Sequence, residues 1–487
     1  MRPKRVLVAL VAMVVVAGVA VGVITGAFGG LASRGLYATG LWSTNGPSTL
    51  PPGGLDPSNH ATRRTPAAPT SSTPTPTVPL PPAVLAPATA GGTVDRAELR
   101  SRIAGVSVKK AKGTYSGAVI DVATGRTVFA HDPRTGLIPA STMKLLTTTA
   151  ALSILGPEHT FTTSVVAPRP GRIILVGGGD PYLAKKTTAS TFPRRASIGD
   201  LARDTARSLK RHKITRVSLG YDASLFTGPA FNPIWPSFYS DQVSRTSALW
   251  VDEGRVNGGS PGPRVADPAR NAADAFADAL AKRGIRVTRT AAARAPKSAA
   301  KVASVDSMPV ERIVQQLLMV SDNDAAEVML RQAAIGAGRS GSIKNGKAVV
   351  RRQLTKLGVW DAGTRINDGS GLARETRVSA DTMAKVLRVA AQDKHPELRG
   401  VITGLPVAGV EGSLRVRFFD DKTLAARGLV RAKTGTLRKV HTLAGMVRTR
   451  DGSVLVFAFL VNNPKNDYAA TVWLDRVTAA ISTCGCR

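Results

Sequence analysis

Residues 138–155 read IPASTMKLLTTTAALSIL, in which a Pro-Ala pair leads into a serine and then a long apolar run. The run predicts a helix over Thr142–Leu155, ended by a Gly-Pro pair. Ser141 and Lys144 lie one helical turn apart and therefore on the same face. A lysine there can take the serine hydroxyl proton and activate it for acyl transfer, provided that its own pKa is lowered. The helix start also aims the backbone dipole at a developing oxyanion.

The Ser-x-x-Lys pattern by itself does not identify a nucleophile, because it occurs three times in the chain. The copy at Ser107 lies in a polar basic stretch, and the copy at Ser298 lies in an Ala/Lys segment without an apolar face. Only Ser141 opens a long apolar helix. We therefore take Ser141 as the candidate nucleophile and Lys144 as its base.

A Ser-x-Asn pattern follows at Ser321 and Asn323, between helices predicted over Val310–Met319 and Asp324–Ala334. A short loop between two helices can point both side chains into a cleft. The other copy, which begins at Ser43, precedes a Pro-rich segment and is disregarded. Taken alone, the pattern is more typical of an ordinary helix N-cap than of a catalytic motif.

The only Lys-Thr-Gly in the chain begins at Lys433, and we expect it to precede an edge strand. Such an edge can pair with an extended peptide while the lysine supplies positive charge. Each of the three motifs is ambiguous by itself, since a cap or a turn would explain it. Their order and their contexts together indicate one catalytic site.

In this order the motifs resemble the class C low-molecular-mass penicillin-binding proteins, the D-alanyl-D-alanine carboxypeptidases/endopeptidases. The resemblance covers about residues 95–482. It includes residues 368–374 (DGSGLAR), where Ala373 stands in place of the family's serine, residues 405–414 (LPVAGVEGSL) and residues 177–181 (GGGDP). It implies an α+β fold, a β-lactamase/transpeptidase-like antiparallel sheet flanked by helices, with one or more smaller domains inserted between the first two catalytic motifs.

The resemblance also implies roles for individual residues. Ser141 would attack the carbonyl between the last two D-Ala residues of a peptidoglycan stem peptide, with Lys144 as base. Penicillin would mimic the substrate and stay attached. Ser321, helped by Lys433, would relay a proton to the leaving amine, and Asn323 would hold the substrate amide. The implied substrate-binding positions are Thr434, Gly435, Thr436, Ser370, Gly371, Leu372, Arg374 and Asp241.

Some of these positions have a more specific implied role. The backbone N–H groups of Ser141 and Thr436 would form the oxyanion hole. Arg374 matches the family arginine that contacts a diaminopimelate side chain. Asp241, which follows the Trp235-Pro236 pair at a longer spacing than in the family, is the candidate contact from the inserted domain.

Composition divides the chain into four parts. Residues 1–44 place basic residues before an apolar run of about 23 residues, which predicts an uncleaved signal anchor or, alternatively, a secretory signal peptide. Either puts the body outside the cytoplasmic membrane. Residues 45–94 are rich in Pro, Ser and Thr and predict a disordered tether. We assign the catalytic domain to residues 95–160 and 306–487 and the inserted domain or domains to residues 161–305.

Hydrophobic patterning predicts further elements in the globular part. Two hairpins are expected, over Ser116–Ala130 and over Thr442–Val461. A helix is expected at about residues 269–283, and an amphipathic helix over Tyr468–Ile481 closes the chain.

The net charge and the few histidines and cysteines limit which binding partners the chain can have. The 487 residues include 66 Lys and Arg against 33 Asp and Glu, a net charge of +33. No zinc-finger or RNA-binding signature accompanies this charge, so we expect no nucleic-acid partner. A solvated basic surface and attraction to anionic envelope polymers or a membrane surface both stay open. Scattered histidines and only two cysteines, Cys484 and Cys486, predict no metal site and no cofactor.

Two alternatives to a peptidase are compatible with the same residues. One is a β-lactamase or esterase on the same scaffold, and the other is a non-catalytic basic wall-binding protein with a relic site. No Glu is clearly placed for rapid deacylation of a β-lactam, which favours the peptidase. The balance of carboxypeptidase and endopeptidase activity is open at this point.

Overall fold

The computed structural model describes residues 94–186 and 193–486, so the predicted anchor and nearly all of the tether lie outside the described residues. The strands are β1 (Thr114–Asp121), β2 (Thr127–His131), β3 (Thr162–Arg169), β4 (Arg172–Val176), β5 (Arg216–Asp222), β6 (Arg286–Ala292), β7 (Ala300–Asp306), β8 (Val430–Leu437), β9 (Val440–Arg448) and β10 (Val454–Asn462). The α-helices are α1 (Arg96–Gly105), α2 (Met143–Leu155), α3 (Ile198–Arg211), α4 (Pro268–Ala281), α5 (Val310–Val320), α6 (Asn323–Gly336), α7 (Ile343–Lys356), α8 (Ala380–Ala390), α9 (Arg399–Thr403) and α10 (Asp467–Ser482). Within these ranges, no helix has the length and apolar character needed to cross a membrane.

The central sheet has the order β2-β1-β10-β9-β8 and is antiparallel throughout. The two predicted hairpins are present as β1–β2 and β9–β10, and pairing of β1 with β10 joins them although they lie far apart in the chain. The prediction for the Lys-Thr-Gly motif was wrong in one respect, because Lys433 lies within the edge strand β8 and does not precede it.

Side chains of the central sheet alternate between two cores, as the period of a strand requires. In β10, Phe457 and Phe459 face a core formed with α1 and α10. Val456 and Ala458 face the opposite core, to which α2, α5, α6, α7, α8 and α9 contribute. The sheet is therefore covered by helices on both faces.

Helix α2 runs through the interior of the second core. Its residues from Met143 to Leu152 are all buried, as expected of a helix that is apolar on all sides. Gly156 ends it with φ of +84°, which confirms the predicted stop. The catalytic serine candidate is therefore fixed at the start of a rigid, enclosed helix.

The chain between α2 and α5 forms a second sheet with the order β6-β5-β4-β3-β7. Strands β4, β5 and β6 are parallel, whereas β3 pairs antiparallel with β4 and β7. Helix α4 corresponds to the helix predicted near residue 269, and with α3 it covers a separate apolar core that includes Leu201 and Phe276. The domain boundaries given above stay predictions.

A long connection between β5 and α4 leaves the second sheet and reaches the central one. Trp235, Tyr239 and Val243 of this connection form a small apolar cluster with Leu372 and Ala373. The connection therefore lies beside the predicted catalytic residues.

The C-terminal cysteines are both buried in the core under α10 and are joined by a disulfide, Cys484–Cys486. The backbone N–H of Asp95 donates to the Cys486 carbonyl at 2.9 Å. The disulfide is thus part of the layer formed by α1 and α10.

Candidate active site

Ser141 lies in a 3-10 turn directly before α2 and is partly exposed. The preceding Ala140 has φ of +46°, a left-handed conformation that is costly for a residue with a side chain. The Pro139 carbonyl accepts a hydrogen bond from the Thr442 hydroxyl at 2.8 Å. The turn that presents Ser141 is thus held against strand β9.

The Lys144 ammonium connects three parts of the site. Its Nζ lies 2.8 Å from Ser141 Oγ, 2.7 Å from Asn323 Oδ1 and 2.9 Å from the Ser370 carbonyl oxygen. Complete burial lowers the pKa of Lys144 to about 8, although nearby carboxylates, led by Asp322, oppose the shift. About a tenth of such a lysine is neutral at pH 7. Neutral Lys144 can accept the Ser141 proton.

A second Ser–Lys pair stands next to the first. Lys433 Nζ lies 2.7 Å from Ser321 Oγ and 2.9 Å from the Thr434 carbonyl oxygen. Ser321 follows α5 with φ of +61°, a left-handed position where glycine is usual. Burial lowers the pKa of Lys433 well below its usual value, and the Lys144 charge lowers it further. Lys433 therefore gives up a proton readily, and Ser321 is its immediate hydrogen-bonding partner.

Asn323 is the first residue of α6, and its amide is held at both ends. The side-chain oxygen accepts from Lys144, and Nδ2 donates to the Gln242 carbonyl at 3.0 Å. Asp322 caps the helix by accepting from the Ala325 backbone N–H at 3.1 Å. The structure thus brings Asn323 of the Ser-x-Asn motif to Lys144.

Only glycine fits at position 435 of the edge strand. A Cβ there would lie 2.6 Å from the Pro139 carbonyl oxygen and 3.1 Å from the Ser141 backbone nitrogen. Strand β8 therefore passes directly beside the nucleophile candidate.

The outer edge of β8 is covered only at its beginning. The N–H of Ala432 donates outward to Pro406 at 3.0 Å, but beyond Ala432 no backbone of the described ranges pairs with this edge. Because alternate residues direct their N–H groups to the same edge, the N–H of Thr436 faces the open part. Thr436 is exposed, while the half-buried Thr434 donates its hydroxyl to Ser413 Oγ at 3.0 Å. An extended peptide can pair here.

The loop at residues 368–374 lies beneath the site and is tied by a buried carboxylate. Asp368 accepts from the backbone N–H groups of Gly371 and Ala373 at 2.9 and 2.6 Å, and from Trp235 Nε1 at 2.9 Å. No role for Asp368 was predicted from the sequence. It fixes the loop against the connection that carries Trp235.

Three predicted substrate-binding residues of this loop are buried. Ser370 is fully buried and reaches Lys144 through its backbone carbonyl. A Cβ at Gly371 would lie 1.9 Å from the Ala140 carbonyl oxygen, and Leu372 packs in the Trp235 cluster. Their direct contact with substrate stays a prediction, whereas the structure shows them supporting Ser141 and Lys144.

Glu327 of α6 also holds this loop, and sequence reasoning missed it. Its Oε1 accepts from the backbone N–H groups of Gly369 and Ser370 at 2.9 and 2.8 Å. Burial and the charge of Asp368 raise the pKa of Glu327 to about 7. No local pattern marks this glutamate, because its partners lie about forty residues further along the chain.

Two further predicted contacts lie at the border of the site. The Arg374 guanidinium donates to the Arg438 carbonyl, with both terminal nitrogens at 3.1 Å. Asp241 is exposed and directly precedes Gln242, whose carbonyl is bonded to Asn323. Contact of Arg374 and Asp241 with substrate stays a prediction.

Comparison with known proteins identifies the family. Residues 99–259 and 257–477 match the sequence profile of the D-Ala-D-Ala carboxypeptidase 3 (S13) family. The chain belongs to this family. This S13 peptidase is 33% identical over 402 residues to the carboxypeptidase DacB of Mycolicibacterium smegmatis, with 81% of this chain and 86% of that protein covered. It is 29% identical over 446 residues to the D-alanyl-D-alanine carboxypeptidase of Actinomadura sp., with 76% and 82% covered.

The fold of the S13 peptidase recurs in penicillin binding protein 4 (dacB) from Haemophilus influenzae. The TM-score is 0.63 at 20% identity, with 79% of this chain and 98% of that chain covered. The predicted α+β architecture is confirmed. The predicted resemblance and the assignment as a serine-type D-Ala-D-Ala carboxypeptidase are confirmed by the family match and the relatives.

A buried ionic cluster behind the Ser-x-Asn motif of this S13 carboxypeptidase was not predicted from the sequence. We call it the Arg255 cluster. The Arg255 guanidinium lies 3.2 Å from Glu253, 2.9 Å from Asp322 and 3.1 Å from Asp324, and Arg264 lies 3.5 Å from Asp324. It connects the long connection after β5 to the start of α6.

The charges of the Arg255 cluster depend on one another. Burial alone would raise the pKa of Asp322, but the Arg255 charge holds it below the usual value. Burial and the Asp322 charge raise the pKa of Glu253 well above its usual value. Oxygens of Glu253, Asp322 and Asp324 lie within 4.8 Å of one another, and Arg255 supplies the positive charge that they share.

Proposed function

We propose that Ser141 of this S13 carboxypeptidase hydrolyses the terminal D-Ala–D-Ala bond of peptidoglycan stem peptides through an acyl-enzyme. The observation that carries the proposal is the contact of buried Lys144, with a pKa of about 8, with Ser141 Oγ at 2.8 Å. Membership of the family supports the reaction, and the geometry supports the roles of the residues.

In the acylation step, neutral Lys144 accepts the hydroxyl proton while Ser141 Oγ forms a bond to the penultimate D-Ala carbonyl carbon. The negative charge that develops on the carbonyl oxygen is stabilised by the N–H groups of Ser141 and Thr436. Asn323 holds the substrate amide. The peptide lies along the open edge of β8, which aligns the scissile bond with Ser141.

The C–N bond then breaks, and its electron pair goes to the leaving nitrogen. Ser321 donates its hydroxyl proton to that nitrogen and is reprotonated by Lys433. The terminal carboxylate is received by Thr434, Thr436 and the nearby cationic charge. Water next attacks the ester carbonyl carbon, Lys144 returns its proton to Ser141 Oγ, and one proton of the water restores Lys433.

We also propose that β-lactams acylate Ser141 and stay attached, because their strained amide presents the same carbonyl chemistry. The Haemophilus influenzae protein has been solved in complex with a β-lactam, which supports this proposal. The export signal predicted in residues 1–44 supports a location outside the cytoplasmic membrane, by anchor or by secretion. The net charge of +33 supports attraction to anionic envelope polymers or to the membrane surface.

Labelling with a fluorescent penicillin tests the assignment of Ser141. We expect covalent label on the wild-type chain and none on Ser141→Ala. Ser298→Ala is the matched control, because it removes an exposed serine from another Ser-x-x-Lys copy and should label fully. Equal labelling of Ser141→Ala and wild type would refute the assignment.

Product analysis on defined muropeptides tests the reaction. We expect release of free D-Ala from a pentapeptide stem, and the remaining stem peptide should be lighter by the mass of one alanine residue. Scission of a cross-linked dimer gives different masses and would measure endopeptidase activity in the same digest. A penicillin-labelled chain that releases no D-Ala would contradict the carboxypeptidase proposal.

A further inference from the structure

A basic pocket lies between α7 and the segment at residues 360–366, outside the residues assigned to catalysis. Lys344, Lys347, Ala348 and Arg351 line its helical side. These positions have the i, i+3, i+4, i+7 spacing of a single helix face. The cavity has a volume of about 490 Å³, within the range of roughly 300–1,000 Å³ typical of small-ligand sites.

The cations of this pocket have no acidic partners within the part of the chain that the structure describes. No carboxylate lies within 4 Å of the charged groups of Lys344, Lys347, Arg351 or Arg365 there, and the Arg365 guanidinium donates to the Glu375 backbone carbonyl at 3.4 Å. Helix α7 contains five basic residues and no acidic residue. Like charges one turn apart destabilise a helix. A negatively charged ligand from outside the chain would remove this repulsion.

An aromatic side chain forms the opposite wall. Trp360 packs against the second core on one side and remains partly exposed toward the pocket. The Arg351 guanidinium lies 5.9 Å from the centroid of the indole ring. The face of an indole is electron-rich, so it attracts the C–H groups of a sugar ring as well as cations. Ala348 is small and leaves the space between this wall and the helix open.

We propose that this pocket binds an anionic saccharide, a sugar ring that carries a phosphate or carboxylate group. Lysines supply point charges and arginines supply paired donors for the anionic group, while Trp360 stacks on the ring. A concave site with one indole suits a sugar better than a flat lipid surface. The ligand is either a free sugar phosphate or a repeating unit of an anionic envelope polymer. Nothing in this binding depends on acylation at Ser141.

Binding to the full-length chain, purified in mild detergent, tests the proposal. The probes are glucose 6-phosphate for the free unit and a hyaluronan tetrasaccharide for the polymer. Neutral chitotetraose is the control that has sugar rings but no charge. Inorganic phosphate is the control that has the charge but no sugar ring. We expect both anionic saccharides to bind at least tenfold more tightly than either control probe, with a change in indole fluorescence that is lost in Trp360→Phe.

Variants separate this pocket from the overall charge of the chain. The triple variant Lys344→Gln, Lys347→Gln and Arg351→Gln should weaken saccharide binding at least tenfold. The matched control removes three exposed cations elsewhere on the surface and should stay within twofold of wild type; its substitutions are Lys282→Gln, Arg286→Gln and Arg289→Gln.

Circular dichroism and thermal unfolding verify the folding of every variant, and Ser141→Ala should bind the saccharides like wild type. Saccharide binding in the pocket and the proposed catalysis at Ser141 can therefore fail independently. Equal losses in the triple variant and its control would overturn the proposal in favour of general charge attraction. Equal affinity for inorganic phosphate and the saccharides would overturn the sugar assignment. Pocket-dependent binding to phosphatidylglycerol vesicles without saccharide binding would overturn it in favour of a membrane surface.

Discussion

Replacing Arg255 by methionine should displace the Ser-x-Asn motif while the rest of the fold is largely kept. Arg255 contacts Glu253, Asp322 and Asp324 at 3.2, 2.9 and 3.1 Å. Removal of one partner from a buried ion pair costs about 3–5 kcal/mol, because an uncompensated charge stays buried. Arg264 still neutralises Asp324, so it is mainly Asp322 that loses its compensating positive charge. Asp322 lies between Ser321 and Asn323. A displacement of about 1 Å there should slow acylation about 10²-fold.

The effect should depend on pH in a definite direction. In wild type, ionised Asp322 has a lowered pKa and stabilises the fold above about pH 4, the pKa of an unfolded aspartate; this contribution is lost as the pH falls through the lower folded value. Without Arg255, burial raises the pKa of Asp322 in the folded state above its value in the unfolded state. The ionised carboxylate then destabilises the folded state at neutral pH. The stability difference between Arg255→Met and wild type should therefore narrow as the pH falls toward about 4.

Acylation by fluorescent penicillin, at a temperature where all variants are folded, gives the decisive measurement. Arg417→Met is a matched control, because Arg417 forms a similarly buried pair with Asp475 at 2.6 Å on α10. The control should lose comparable stability yet keep its acylation rate. Arg255→Lys should recover part of the rate, since it restores charge without the planar fork. Equal acylation by Arg255→Met and Arg417→Met would refute the reasoning.

Three other predictions concern the site itself. The acylation rate should rise with pH through about 8 as Lys144 loses its proton, and a flat profile would contradict its role as base. Gly435→Ala should abolish labelling because its Cβ would lie 2.6 Å from the Pro139 backbone carbonyl oxygen, whereas Gly105→Ala, in open space, should label like wild type. Trp235→Phe removes a hydrogen bond of 2.9 Å to Asp368, worth about 1.5–3 kcal/mol to a charged group. It should lower the thermal stability and slow acylation, and an unchanged unfolding temperature would show that this bond does not hold the loop.

Local patterns were sufficient for the elements that position the nucleophile. The apolar run after Ser141 predicted α2, and the short runs flanking turn residues near both ends of the globular part predicted the hairpins that pair in the central sheet. The location of Lys433 within β8 was not predictable in the same way. Lys and Gly are depleted in strands although Thr favours them, and pairing with β9 determines the strand here.

Contacts over long sequence separations could not be predicted where no motif marks the residues. Arg255 lies almost seventy residues before Asp322, and no period or motif connects them. The order of the second sheet depends on how the parallel strands β4, β5 and β6 are connected across α3 and α4, which short apolar runs do not specify. Tertiary packing decides both features.

The long connection after β5 makes this peptidase less modular than its two sheets suggest. One stretch of chain supplies the Gln242 carbonyl to Asn323, the Trp235 indole to Asp368 and Arg255 to Asp322. A minimal enzyme made by excising residues 161–305 would therefore lose the contacts that hold Asn323, Asp368 and Asp322 in its own active site. Sequence drift should be tolerated on the outer strands of the second sheet, while this connection must evolve together with the catalytic motifs that it touches.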